Sequence, residues 1–103
     1  MQLSGIFNIM ATPFVDQPEQ PVDEASLRRL TQFQIASGVY GLTVLGVLGE
    51  AAKLTVEERR RVVDVVIEEA AGRVPVVVGV SHAETQVVIE LSKAAFAAGA
   101  AGV

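Results

Sequence analysis

The sequence contains no cysteine and a single histidine, His82. Without thiolates neither a disulfide framework nor a thiolate metal site can form, and one imidazole cannot build a multi-histidine site, so no metal is expected. Basic runs are missing as well. The longest is the triplet Arg59, Arg60, Arg61, and the formal net charge is −4, so no nucleic-acid surface is expected. The amino terminus, MQLSGIFNIM, lacks the basic region and small-residue cleavage pattern of a signal peptide. The one long uncharged run, Leu30 to Gly49, holds Gln32, Gln34, Ser37 and four glycines and crosses a helix-strand boundary. It is not expected to span a membrane. A reducing cytoplasm suits this set of absences.

What remains is strongly apolar. Half of the 103 residues (50%) are hydrophobic, enough for a real core and too many for a disordered chain. Residues 5–14, GIFNIMATPF, read as a strand stopped by Pro13, which cannot donate to a ladder. The following DQPEQPVD is a surface loop. Asp23 then caps a helix from Glu24 to about Ser37, ended by Gly38. Its apolar stripe, counted from Leu27 and Leu30, is interrupted by Thr31 and Gln34, a polar stretch that could serve a subunit contact.

The second unit is more regular. Residues 41–46, GLTVLG, form an unbroken apolar strand, and Thr55 with Glu58 makes a T-x-x-E capping box for a helix to about Ala71. Val63, Val66, Ile67 and Ala70 share one face of that helix, with Arg59, Arg60, Glu68 and Glu69 mostly off it. The third unit repeats the plan. VPVVVGV at 74–80 is its strand, Ser81 and Glu84 offer a second box, and Val88, Leu91, Ala95 and Ala98 make the stripe.

The helices end at Gly38, Gly72 and Gly99, spacings of 34 and 27 residues that match a βα unit. Continuous rather than alternating apolar strands predict a parallel sheet covered by helices. The last residues, AAGAAGV, echo ASGVYGL at 36–42, a helix end followed by the first residue of a new strand. A (β/α)8 barrel takes ~250 residues. The expected fold is therefore α/β: three βα units and the start of a fourth strand of a TIM barrel, with residues 1–103 the N-terminal portion of a single barrel domain that is incomplete at its C-terminus.

On these residues the chain resembles the dihydrodipicolinate synthase and N-acetylneuraminate lyase family of class I aldolases. The signature runs through Gly41 to Leu45, then Gly46, Gly49, Glu50, Ala51 and Glu58. TPF at Thr12 to Phe14, LTVEER at Leu54 to Arg59 and GRVPVVVGV at Gly72 to Val80 are similar to the family in the same order and spacing. The resemblance implies a lyase that acts on pyruvate or another 2-keto acid through a lysine Schiff base, by aldol condensation, cleavage or dehydration. It also implies a homotetramer and no cofactor. The Schiff-base lysine of the family matches neither Lys53 nor Lys93, so no catalytic residue is expected in this segment.

The substrate-binding residues implied are Gly46, Val47, Leu48 and Gly49, whose backbone would cradle the keto acid's carboxylate, together with Thr12. Glycine permits the close backbone approach that such an anion requires. Glu50 is expected to support the loop by accepting hydrogen bonds from its amides. Typical synthases have two threonines, and the lyases serine and threonine, where Val47 and Leu48 stand here. Ala83 and Val87 replace the asparagine and glutamate of lysine-inhibited synthases, so lysine feedback is not expected. Ile9 takes the place of a smaller residue near the pocket.

Thr12 either closes the pocket floor or bonds backbone; His82 reads as a polar loop residue; Tyr40 lies on the face of the barrel that serves stability. A different class stays open beside the enzyme: a non-catalytic α/β protein whose glycine loop holds a carboxylate or phosphate. A dinucleotide site is disfavoured, because no G-x-G-x-x-G is present.

Overall fold

A computed structural model describes residues 4–19 and 21–103. The chain runs β1 (Phe7–Ile9), α1 (Glu24–Ala36), β2 (Gly41–Val44), α2 (Val56–Ala70), β3 (Val76–Val78) and α3 (Thr85–Ala98), with one 3₁₀ turn at Ala51–Lys53. The strands form a parallel sheet in the order β1-β2-β3. A fourth strand begins beside β3: Ala101 N–H donates to Val76 O, Val78 N–H donates to Gly102 O, and Val77 bridges Gly102 in parallel.

Each strand is shorter than its apolar run. β1 stops at Ile9 rather than at Pro13, although Met10 N–H still donates to Thr43 O at 2.8 Å. Past Pro13 the chain turns back on itself through a bridge between Phe14 and Val22. β2 stops at Val44 because Leu45 is left-handed, with φ 60°.

The helices pack on one face only. Register pairs Leu42 with Val76 and Val44 with Val78, and these four side chains are buried under the helices beside Leu27, Val62, Val65 and Val66. Alternation sends Phe7, Ile9, Thr43 and Val77 to the opposite face, where each is only partly buried or exposed. A barrel fills that face with its own interior side chains. Gly41 belongs to it: a Cβ there would lie 2.4 Å from the Phe7 ring and 2.8 Å from Pro75 O, so only glycine lets the ring lie down.

The irregular stripe of α1 has internal hydrogen-bond partners. Thr31 is fully buried, its hydroxyl donating to Leu27 O at 2.8 Å. Gln34 accepts a hydrogen bond from the Asn8 amide of β1. Two polar positions on the packed face are thus satisfied, one within the helix and one by the strand beneath it.

Helix ends follow the residues. Asp23 accepts from Ser26 N–H, and Thr55 and Glu58 complete their reciprocal box. α2 ends through Ala71, left-handed at φ 49°, ahead of Gly72. The second expected box does not form. α3 starts at Thr85 with Glu84 as an N-cap that makes no side-chain bond. Ser81 is held in the preceding loop, where its carbonyl accepts from Arg59, and Glu84 N–H donates to His82 Nδ1 instead.

α1 and α2 are joined by charge. Arg28 pairs with Glu68 at 2.9 Å and Glu69 at 3.0 Å, Gln32 donates to Glu69, and Arg61 forks onto Glu24. The Gln32 and Arg28 bonds hold the Glu69 carboxyl below its ordinary 4.5, and the Arg61 bonds do the same for Glu24. A depressed folded value stabilises the fold above pH 4.5 and is lost as pH falls through it. The melting temperature should therefore fall between about pH 5 and pH 2, and Glu69→Gln should lose less over that window. Equal pH dependence of the two proteins in thermal melts would contradict this origin.

Candidate functional site at the carboxyl ends of the strands

The loop after β2 is built by two unusual residues and four ordinary ones. Leu45 (φ 60°) and Glu50 (φ 57°) both adopt the left-handed conformation without being glycine. Each costs roughly 1–2 kcal/mol, and strain of this kind concentrates where a loop has work to do. Between them, residues 46–49 fold back over β1. A Cβ on Gly46 would lie 3.9 Å from Ile9 Cγ2, and one on Gly49 3.3 Å from Met10 O and 3.1 Å from Leu45 N.

One bond holds the turn, Glu50 N–H to Val47 O at 3.0 Å. The N–H groups of Gly46, Val47, Leu48 and Gly49 donate to no protein acceptor among the described residues. Successive undonated amides are the raw material of an anion cradle. Val47 stands 98% exposed and Leu48 58% exposed, whereas Gly49 is buried.

Glu50 departs from its expected role. Its carboxylate accepts from Lys53 Nζ at 2.7 Å rather than from loop amides. Its support of the loop comes from its left-handed backbone and its carbonyl, which accepts from Lys53 N–H and opens the 3₁₀ turn.

The residue that fastens the site is one the sequence pattern placed off the packed face. Arg59 is only 5% exposed. Its Nε donates to Ala51 O at 3.0 Å and its terminal nitrogen to Ser81 O at 2.7 Å. No carboxylate pairs with it among the described residues. One side chain from the first turn of α2 thus ties the loop after β2 to the loop after β3. A signal was available: Arg59 lies three and four residues before Val62 and Val63, on an extension of the buried stripe.

A concavity of about 450 Å³ opens beside this clasp, with Leu45, Gly46, Val47, Ala51, Arg59, Gly79 and Ser81 among its lining. At Gly79 the backbones of the two loops touch, since a Cβ there would fall 2.2 Å from Leu45 O. Thr12 is buried at 6% exposure three residues beyond β1. His82 and Lys93 are exposed. Tyr40 precedes β2 at the opposite end of the sheet, its ring centroid 5.6 Å from that of Phe7.

The Dihydrodipicolinate synthetase family matches residues 2–103. The chain belongs to that family. A 4-hydroxy-tetrahydrodipicolinate synthase of Salinibacter ruber is 44% identical over 102 residues, 99% of this chain and 33% of that protein. Among solved structures, a putative dihydrodipicolinate synthetase from Pseudomonas aeruginosa superposes with a TM-score of 0.93 at 32% identity, over 99% of this chain and 34% of that one. A prophage protein of the dihydrodipicolinic acid synthase family from E. coli K12, in complex with pyruvate, superposes at 0.89 with 33% identity, over 97% of this chain and 33% of that one.

The chain therefore spans about a third of the length of these relatives. Its three βα units and nascent fourth strand are the opening of a dihydrodipicolinate synthetase-family TIM barrel, and the glycine loop and Arg59 clasp lie at the end of the strands where such barrels carry their active sites. No helix among the described residues is long and apolar enough to cross a membrane.

Proposed function

We propose that residues 1–103 are the N-terminal portion of a single barrel domain whose whole protein is a lyase acting on pyruvate or another 2-keto acid through a lysine Schiff base. The observation that carries this reading is the run of undonated N–H groups at Gly46 to Gly49, bracketed by two left-handed residues. Backbone donors fixed before the ligand arrives bind a carboxylate without reorganisation. The pyruvate complex of the E. coli relative supports a keto acid as the ligand. In this reading Thr12 helps to close the pocket and Glu50 supports the loop.

The chain's only lysines are Lys53 and Lys93. Lys53 is bonded to Glu50 and Lys93 lies exposed on α3, so the imine-forming lysine belongs to another part of the whole protein. Residues 46–49 orient the keto acid by its carboxylate, and Arg59 keeps the loops after β2 and β3 in register around it. A cytoplasmic homotetramer is the assembly we propose with it.

Val47 and Leu48 carry no hydroxyl to relay a proton, which favours one second reading: a carboxylate-binding protein without the chemistry. Borohydride reduction of the protein isolated from its host, in the presence of pyruvate or longer 2-keto acids, followed by intact mass, separates the two. An adduct of one reduced keto acid is the expected result. Absence of any adduct across the series would leave only the binding role.

A further inference from the structure

Arg59 is almost wholly buried, yet no carboxylate among the described residues neutralises it. A buried cation is ordinarily paired, because neutral carbonyls alone do not replace the water and counter-charge it gives up. Nε and Nη1 are spent on Ala51 O and Ser81 O. Nη2 donates to no protein acceptor among the described residues. Since no fully buried side-chain nitrogen or oxygen there lacks a partner, Nη2 is open to solvent.

The space beside the guanidinium is the concavity of about 450 Å³, because Ala51 and Ser81, the residues that hold it, both line that concavity. Its volume lies within the range of small-molecule sites. Glu50 and Lys53 line it as well, but their charges meet in an ion pair at 2.7 Å. Arg59 is left as the unmatched charge. The Ser81 hydroxyl makes no bond to protein among the described residues, and Leu45, Ala51 and Ala52 supply an apolar wall. All of these residues belong to the second and third βα units, so the frame of the site does not depend on the sheet's open edge.

We propose that this concavity binds a small organic carboxylate, separate from the keto acid at the amides of 46–49. The carboxylate takes the Arg59 Nη2 and the Ser81 hydroxyl, and the apolar body lies on Leu45, Ala51 and Ala52. Inorganic phosphate suits the site less, because it would leave the apolar wall uncovered and bring a second charge that nothing matches.

The test titrates the intact protein calorimetrically with benzoate while pyruvate is in excess, and one equivalent per chain should bind. Benzamide, of the same shape without the charge, should bind roughly tenfold or more weakly. Arg59→Met should weaken benzoate by roughly the same factor. Ala52→Leu, at an exposed position, puts bulk into the concavity without touching the guanidinium and should weaken benzoate too, independently of any damage to the clasp. Equal affinity for benzoate and benzamide, complete displacement by pyruvate, or an affinity indifferent to Ala52→Leu overturns the proposal. Absence of binding overturns it as well, and would mean that a carboxylate from another part of the whole protein already neutralises Arg59. None of these outcomes bears on the lysine imine, which borohydride trapping tests separately.

Discussion

Gly79→Ala is expected to lower the unfolding free energy by about 3 kcal/mol or more, at the upper end for forcing a methyl into packed surroundings. The new Cβ would sit 2.2 Å from Leu45 O, 2.8 Å from Leu45 C and 3.3 Å from Gly46 N. All three are backbone atoms, so no side chain can rotate aside. The ends of β2 and β3 must part instead, which strains the bond from Gly79 N–H to Val44 O at 2.8 Å. Because Leu45 is itself left-handed, the displacement passes directly into residues 46–49. Binding of a keto acid should weaken together with stability.

Two other glycines serve as controls in the same urea titration. Gly102→Ala, whose nearest neighbour is Val77 Cγ2 at 3.9 Å, should be close to neutral. Gly38→Ala meets nothing within 4 Å but has φ +89°, and should cost roughly 1–2 kcal/mol from conformation alone. If all three lose the same stability, the close approach at position 79 is not what demands glycine there.

The second large effect concerns Arg59. Arg59→Met keeps an apolar stem of similar reach and removes the guanidinium, so the loss should be about 2 kcal/mol, the scale of hydrogen bonds made by a charged donor. The buried Ala51 keeps a carbonyl with one donor fewer, whereas Ser81 is exposed and water can replace its partner. An opposing contribution exists: methionine avoids the desolvation of an unpaired buried cation. A stability equal to or above the parent would mean that this relief outweighs the two bonds. Arg59→Lys offers only a point charge in place of a planar fork and should recover part of the loss. A second readout distinguishes a clasp from simple packing. In Arg59→Met the amide resonances of residues 46–53 and 79–82 should shift together, while those of α1 stay in place.

Much of this arrangement was legible from residue types. The glycine spacing gave the βα periodicity, and Thr55 with Glu58 marked the start of α2 correctly because both halves of that box lie in one local segment. Ser81 and Glu84 have the same spacing and form no box, since the Glu84 N–H that the box would use donates to His82 Nδ1 and α3 starts only at Thr85. The left-handed Leu45 has no sequence signal, as leucine carries no preference for that conformation. Its position follows from the packing of Gly79 against it, a contact 34 residues away in the chain. The bond from Lys53 to Glu50 was not legible, because a surface ion pair depends on which rotamers meet. Gln34 looked like a defect in α1 until Asn8 was placed beneath it. In each case the missing information was tertiary.

The open edge of β1 bears on how this polypeptide behaves in a test tube. Ile6, just before β1, is 74% exposed and Ile9 within it 52% exposed, and among the described residues this strand has a neighbour on one side only. An unpaired parallel edge with apolar side chains is a template for adding foreign strands. A sheet curled into a closed ring has no such edge. For this family, ring closure therefore acts as protection against clumping as well as a way to assemble a pocket, and colloidal behaviour should worsen with concentration whenever residues 1–103 are handled alone.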